Sequence, residues 1–192
     1  ALAAGRPAQA ASAFRAGLAV YSEDALAWAN LAIALGSIDS LASALDAAQH
    51  AVMLHPGSDA AQRVLGRTLA ALDRSAEAEA PLREALRLSP DDYETWMTLG
   101  DLYGRTSRFR NALGAFERAS RLAPAEVAPI GNMALSLTEL GETGRARALL
   151  DSVFAREPQN ARARALLSRI DQMDAARAPA AGGHGRGAAE ER

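Results

Sequence analysis

The chain of 192 residues contains no cysteine, which excludes disulfides and thiolate metal sites and leaves the redox compartment open. It contains no lysine, so all 21 basic residues are arginine, set against 23 acidic residues for a formal charge of -2. A nucleic-acid-binding surface announces itself as a basic excess, and there is none here. Aromatic residues make up only 5% of the chain, although 49% is hydrophobic. Alanine and leucine supply most of that content, and isoleucine and β-branched runs are scarce. This balance favours helices packed closely through small side chains over strands. No 18-residue stretch is apolar and free of charge, so no segment reads as a membrane span. The opening Ala1-Leu2-Ala3-Ala4-Gly5 does not read as a secretory signal, and localisation stays open between cytoplasm and a bacterial periplasm or envelope.

What is present is a period. Pro56, Pro90, Pro124 and Pro158 are each 34 residues apart, and the same interval links Ala10, Ala44, Ala78, Ala112 and Ala146. It also links Leu31, Leu65, Leu99 and Met133, each followed by a small residue: Ala32, Gly66, Gly100 or Ala134. A second alanine series, Ala51, Ala85 and Ala119, breaks only at Val153. Series sharing one period without insertions mark a repeat architecture. Residues 93–126 carry the pattern most fully, with Trp96, Leu99, Gly100, Tyr103, Ala112, Phe116, Ala119 and Pro124. In 59–92, Gln62 stands where the tryptophan would be.

On these residues the chain resembles the tetratricopeptide repeat (TPR) family from about residue 5 to 174. The resemblance implies an all-α fold, a right-handed α-solenoid of antiparallel helix hairpins. Expected units are a partial N-terminal repeat at 1–24 (a second helix without its first) and four repeats at 25–58, 59–92, 93–126 and 127–160. A capping helix at 161–177 and a disordered tail at 178–192 complete the division. First helices are expected near 25–38, 59–72, 93–106 and 127–140, and second helices near 41–54, 75–88, 109–122 and 143–156. The physics agrees: a two-helix unit cannot bury its own apolar stripe, so neighbours must stack. Each proline stops a second helix, and Ser89-Pro90-Asp91-Asp92 offers turn formers and caps.

Catalytic chemistry finds little support. His50 and His55 are five apart and do not share a helix face. His184 lies in a glycine-rich stretch flanked by neither strand nor helix, unlike a phosphate loop. Asp91 and Asp92 suit a helix start. The chain reads as non-catalytic, with no cofactor or metal.

The resemblance also implies a concave groove lined by first helices, with a protein or peptide partner. Its positions fall on Leu26, Ala29 and Ile33, then on Arg63 and Arg67, Glu94, Met97, Asp101 and Arg105, and Leu135 and Glu139. Arg63 and Arg67 share a face and either receive an acidic peptide group or pair with Glu94 and Asp101 on the neighbouring helix. The arginines at 105, 108, 110, 145 and 147 form a second charged surface, read as solvated. The leading function is a scaffold or adaptor in a larger assembly, such as a bacterial envelope, secretion or pilus assembly. The alternatives are a regulatory or targeting segment of a larger enzyme such as a glycosyltransferase, and a self-assembling homo-oligomeric unit.

Overall fold

The computed structural model describes residues 6–177; the tail expected to be disordered, with His184, lies outside the described residues. Ten α-helices account for nearly all of them, and no strand occurs among them. In chain order they are α1 (Pro7–Leu18), α2 (Ala25–Gly36), α3 (Leu41–Leu54), α4 (Asp59–Ala71), α5 (Ser75–Leu88), α6 (Tyr93–Arg105), α7 (Phe109–Leu122), α8 (Ala128–Glu139), α9 (Thr143–Arg156) and α10 (Ala161–Arg177). The pairs α2–α3, α4–α5, α6–α7 and α8–α9 are antiparallel hairpins stacked in sequence order, with α1 packed on α2 and α10 on α8 and α9.

The four second helices inside the array occupy the residues the period predicts, whereas the first helices stop one or two residues short. The turn explains the difference. Asp39, Asp73, Ser107 and Gly141, again 34 residues apart, have φ of 58°, 60°, 57° and 78°. After each, a backbone N–H reaches back across the turn: Ser40 to the Leu35 carbonyl, Arg74 to Leu69, Arg108 to Tyr103 and Glu142 to Leu137, at 2.8–3.0 Å. This left-handed C-terminal cap consumes the last residues of each first helix. α8 also starts one residue late, with Pro129 in its first turn, where a missing N–H costs no helical bond.

The link between hairpins has its own device. The Trp28 indole N–H donates to the Ser22 carbonyl at 2.7 Å, the Gln62 amide to Pro56 at 2.9 Å, and the Trp96 indole to Pro90 at 2.8 Å. Ser22 holds the proline position one period earlier, and Gln62 replaces the tryptophan as a donor. In the next repeat that place falls to Ile130, which has no N–H to give, and Arg156 donates to the Pro124 carbonyl instead at 2.7 Å. Arg164 serves Pro158 at 3.2 Å.

The core is continuous along the stack. Leu82, Leu102, Leu137, Leu150 and Ile170 are completely buried, each contributing about 1.5–3 kcal/mol by removal from water. Gly66 and Gly100 permit this closeness: a Cβ at Gly66 would lie 2.5 Å from Leu82 Cγ, and at Gly100 2.5 Å from Phe116 Cε1. Pro81 lies buried inside α5, which continues through it.

First helices of adjacent hairpins touch (α2 with α4, α4 with α6), while no two successive second helices pack together to a similar degree. A stack drawn tighter on one side curves toward it, which puts the first helices on the concave side.

Candidate functional site

The inner face changes character along its length. At the N-terminal end α2 carries no charged residue. Ile33, Gly36 and Ser37 line one wall of a cleft of about 310 Å³, opposite Val64, Arg67 and Ala71 of α4. Leu26 stands exposed in the first turn of α2. Ala29 does not belong to this surface. It is 3% exposed and packs with Ala51 and Ala61 where two hairpins meet, because a first-helix methyl at that register faces the neighbouring pair. Met97 and Leu135 are half-buried; the former supports the central core and the latter lines a cleft between α8 and α10.

The arginines are committed to neighbours. Arg63 lies 3.4 Å from the Asp92 carboxylate, not beside Asp101, and Arg67 donates to Glu94 at 3.2 Å. Arg105 turns to the preceding hairpin, donating to the Ala70 carbonyl at 3.0 Å and pairing with Asp73. Glu139 accepts from Arg169 of α10 at 2.6 Å. Arg63, Arg67 and Arg105 are therefore not free to receive a carboxylate. Such exposed pairs contribute about 0.2–1 kcal/mol each and mainly fix the register of one hairpin on the next. Most of the second charged surface resolves the same way: Arg108 binds Glu79, Arg145 binds Glu142, and Arg147 binds Asp171 and Asp174, while Arg110 is exposed to solvent. Asp92 sits at the N-cap of α6, but its carboxylate takes the Thr95 hydroxyl and Arg63 instead of a backbone N–H.

Asp101 is the exception. No arginine lies within ion-pair distance of it among the described residues; its neighbour is Asn132, whose amide nitrogen lies 3.4 Å from the Asp101 carboxylate. Asn132 is 5% exposed and its side-chain oxygen has no partner. Asp101 is exposed on the inner face, with neighbouring protein partly displacing water from its carboxylate. That desolvation raises its pKa above the ordinary carboxylate range, with the more distant Arg162 charge pulling the other way. The pairing of Asn132 with Asp101 runs diagonally from α6 to α8, which the 34-residue period does not display.

On the outer side, His50 stacks on Trp28 with ring centroids 4.6 Å apart, and its Nδ1 lies 2.8 Å from the Asp46 carbonyl. Among the described residues no three His, Asp or Glu side chains gather as metal ligands, and no helix is long and apolar enough to cross a membrane.

A curved stack of helix pairs whose inner face varies in charge while its core repeats is a repeat scaffold of the binding class. Comparison with known proteins gives the family. The model of the cytochrome c-type biogenesis protein H TPR domain matches residues 78–182, just over half of the chain, and a general tetratricopeptide repeat model matches 1–58 and 37–93. The chain belongs to the tetratricopeptide repeat family. Superkiller protein 3 of Schizosaccharomyces pombe is 50% identical over 42 residues, 22% of this chain and 3% of that protein. Its Saccharomyces cerevisiae counterpart is 30% identical over 93 residues, 47% of this chain and 6% of that protein. The matched segments are thus small fractions of these relatives. Among solved structures, YrrB, described as a TPR protein with an unusual peptide-binding site, superposes with a TM-score of 0.76 at 22% identity, covering 87% of this chain and 86% of that one. At that identity the likeness concerns the fold.

Proposed function

We propose that this chain is a non-catalytic scaffold whose concave face holds a segment of a client protein during assembly of a larger complex. The observation that carries this reading is Asp101. Its ionised form is disfavoured where it stands, and it has no cationic partner among the described residues, although every neighbouring acid named above has one. An exposed carboxylate without a cation, beside a buried asparagine whose side-chain oxygen has no partner, is what a binding residue on a contact face offers. The partner segment then carries an arginine or lysine for Asp101 and apolar side chains for the cleft between α2 and α4. Ile33, Leu26 and Leu135 supply apolar contact, and the committed arginines 67 and 105, with Glu94 and Glu139, form the rim, while Arg63 and Met97, in the register of Ala29, face the next hairpin. The match to the TPR domain of a cytochrome c-type biogenesis protein supports a part in the assembly of other proteins, and a setting in the bacterial envelope belongs to this proposal.

The test is a fluorescence-polarisation screen of peptides that vary in apolar and basic content. Peptides with a basic residue spaced from an apolar cluster are expected to bind best. Both Asp101→Asn and Ile33→Glu should weaken them about tenfold or more with helicity intact. Affinity indifferent to both changes would reject the groove.

A further inference from the structure

Two clefts open on the outer side of the stack, each between successive second helices over the first helix that separates them. One is lined by Arg15 of α1, Trp28 of α2 and Ala47 of α3. The other, of about 410 Å³, is lined by Arg83 of α5, Trp96 of α6 and Ala115 of α7, the same register two periods later. The two tryptophans differ in what lies on them. His50 stacks on Trp28 with its Nδ1 at the Asp46 carbonyl, so the first cleft holds a ring of its own. Two periods on, Asp46 becomes Gly114 and His50 becomes Arg118. Gly114 is exposed, with nothing within 4 Å of where its Cβ would stand, and no ring or guanidinium stacks on Trp96 among the described residues. The second cleft thus lacks the ring that the first supplies to itself. Its rim is basic. Arg118, one turn beyond Gly114 on the same face of α7, is exposed and has no ion pair among the described residues. Arg83 is 68% exposed and comes only within 3.6 Å of Glu79, whose oxygens already accept from the Tyr103 hydroxyl and Arg108. Glu84, the other acid nearby on α5, is tied to Arg87.

The chain carries a segment that fits this cleft. Tyr21, 74% exposed, is the one aromatic side chain that stands exposed among the described residues. It opens the link Tyr21-Ser22-Glu23-Asp24 between α1 and α2. Glu23 is exposed without an ion pair among the described residues, and Asp24 caps α2 through the Ala27 N–H. Exposure here belongs to the link and not to the end of the stack: none of the residues in the same register, His55, Ser89, Ala123 and Glu157, is buried. We propose that Tyr21 of one copy enters the outer cleft of a second copy, its ring against Trp96 and Glu23 beside the arginines of the rim. Ring on ring with carboxylate on guanidinium is the pairing such a cleft selects. Within one chain the packed hairpins between them hold link and cleft apart, so the contact joins two copies. Link and cleft are different surfaces, so the contact is head-to-tail and leaves a free cleft and a free link for further copies. It lies on the outer side and leaves the inner face open to a client.

Sedimentation velocity of the whole chain over a wide concentration range tests this. Association that grows with concentration is expected, and Tyr21→Ser and Gly114→Glu should each weaken it about tenfold or more. Both positions are exposed and the space beside Gly114 is open, so both variants should keep the melting temperature of the parent chain. Mixing the two variants is the sharper measurement. One keeps an intact cleft and the other an intact link, so together they should form a dimer of one copy each that grows no further. A chain that stays monomeric throughout would overturn the proposal, as would association untouched by either change. Loss in both variants without recovery in the mixture would overturn it too, since a contact through like surfaces behaves that way.

Discussion

At the scale of single residues, the interior is a set of matched sizes. Glycine at 66 and 100 faces Leu82 and Phe116, while the same registers elsewhere hold Ala32 with Ala48, and Ala134 with Leu150, all buried. Two glycines of one helix then separate packing from propensity. Gly100→Ala should destabilise the chain by about 1–3 kcal/mol, since the Phe116 ring must move. Gly104→Ala, with nothing within 4 Å of its Cβ position, should stabilise it by roughly 0.5–1 kcal/mol. Urea denaturation of both variants checks this, and shifts of the same sign would contradict the packing argument. The small residues and the prolines were legible in the sequence because they recur at fixed spacing. The left-handed turn positions were not, since aspartate at 39 and 73 and serine at 107 do not advertise a positive φ as Gly141 does.

At the scale of elements, the second helices were readable to the residue and the pairing between helices only in part, Arg67 meeting Glu94 as the spacing allows. Periodicity locates a residue within its own unit, but ion pairs depend on the rotation between units, and so Arg63 reaches Asp92 instead of Asp101. The burial of Ala29 has the same origin: its register faces the next hairpin, not the groove. Glu79 shows what such pairing does, joining α5 to α6 through the Tyr103 hydroxyl at 3.0 Å and to α7 through Arg108 at 2.8 Å. The Arg108 hydrogen bond, with help from Tyr103, holds its pKa below the ordinary carboxylate range despite partial burial. A depressed folded pKa stabilises the fold above the unfolded value of about 4.3, and that stabilisation is lost as pH falls through the folded value. Glu79→Gln should therefore cost about 0.5–1 kcal/mol at neutral pH and nothing once the carboxylate is protonated. Thermal melts across pH 2–7 should show the two curves converging in acid.

At the scale of the whole molecule, stability is distributed between neighbours, so helices with one neighbour are weakest. α10 is tied by Arg169 to Glu139, by Arg147 to Asp171 and Asp174, and by Arg177 to the Gly141 carbonyl. α1 has no side-chain hydrogen bond or ion pair to the rest among the described residues. Amide hydrogen exchange should be fastest in α1, slower in α10 and slowest in α5–α7; equal protection of α1 and α7 would mean that stability is not shared in this way.

The indole and amide donors at Trp28, Gln62 and Trp96 bear on how such chains diverge. What each link between hairpins requires at that place is a polar hydrogen for a stranded carbonyl, and glutamine meets the requirement without a ring. Where even that is missing, as at Ile130, an arginine from the following helix takes over the bond. A repeat can thus lose its most conspicuous letter and keep its geometry, so a search keyed to tryptophan would pass over the very unit that carries Arg63 and Arg67.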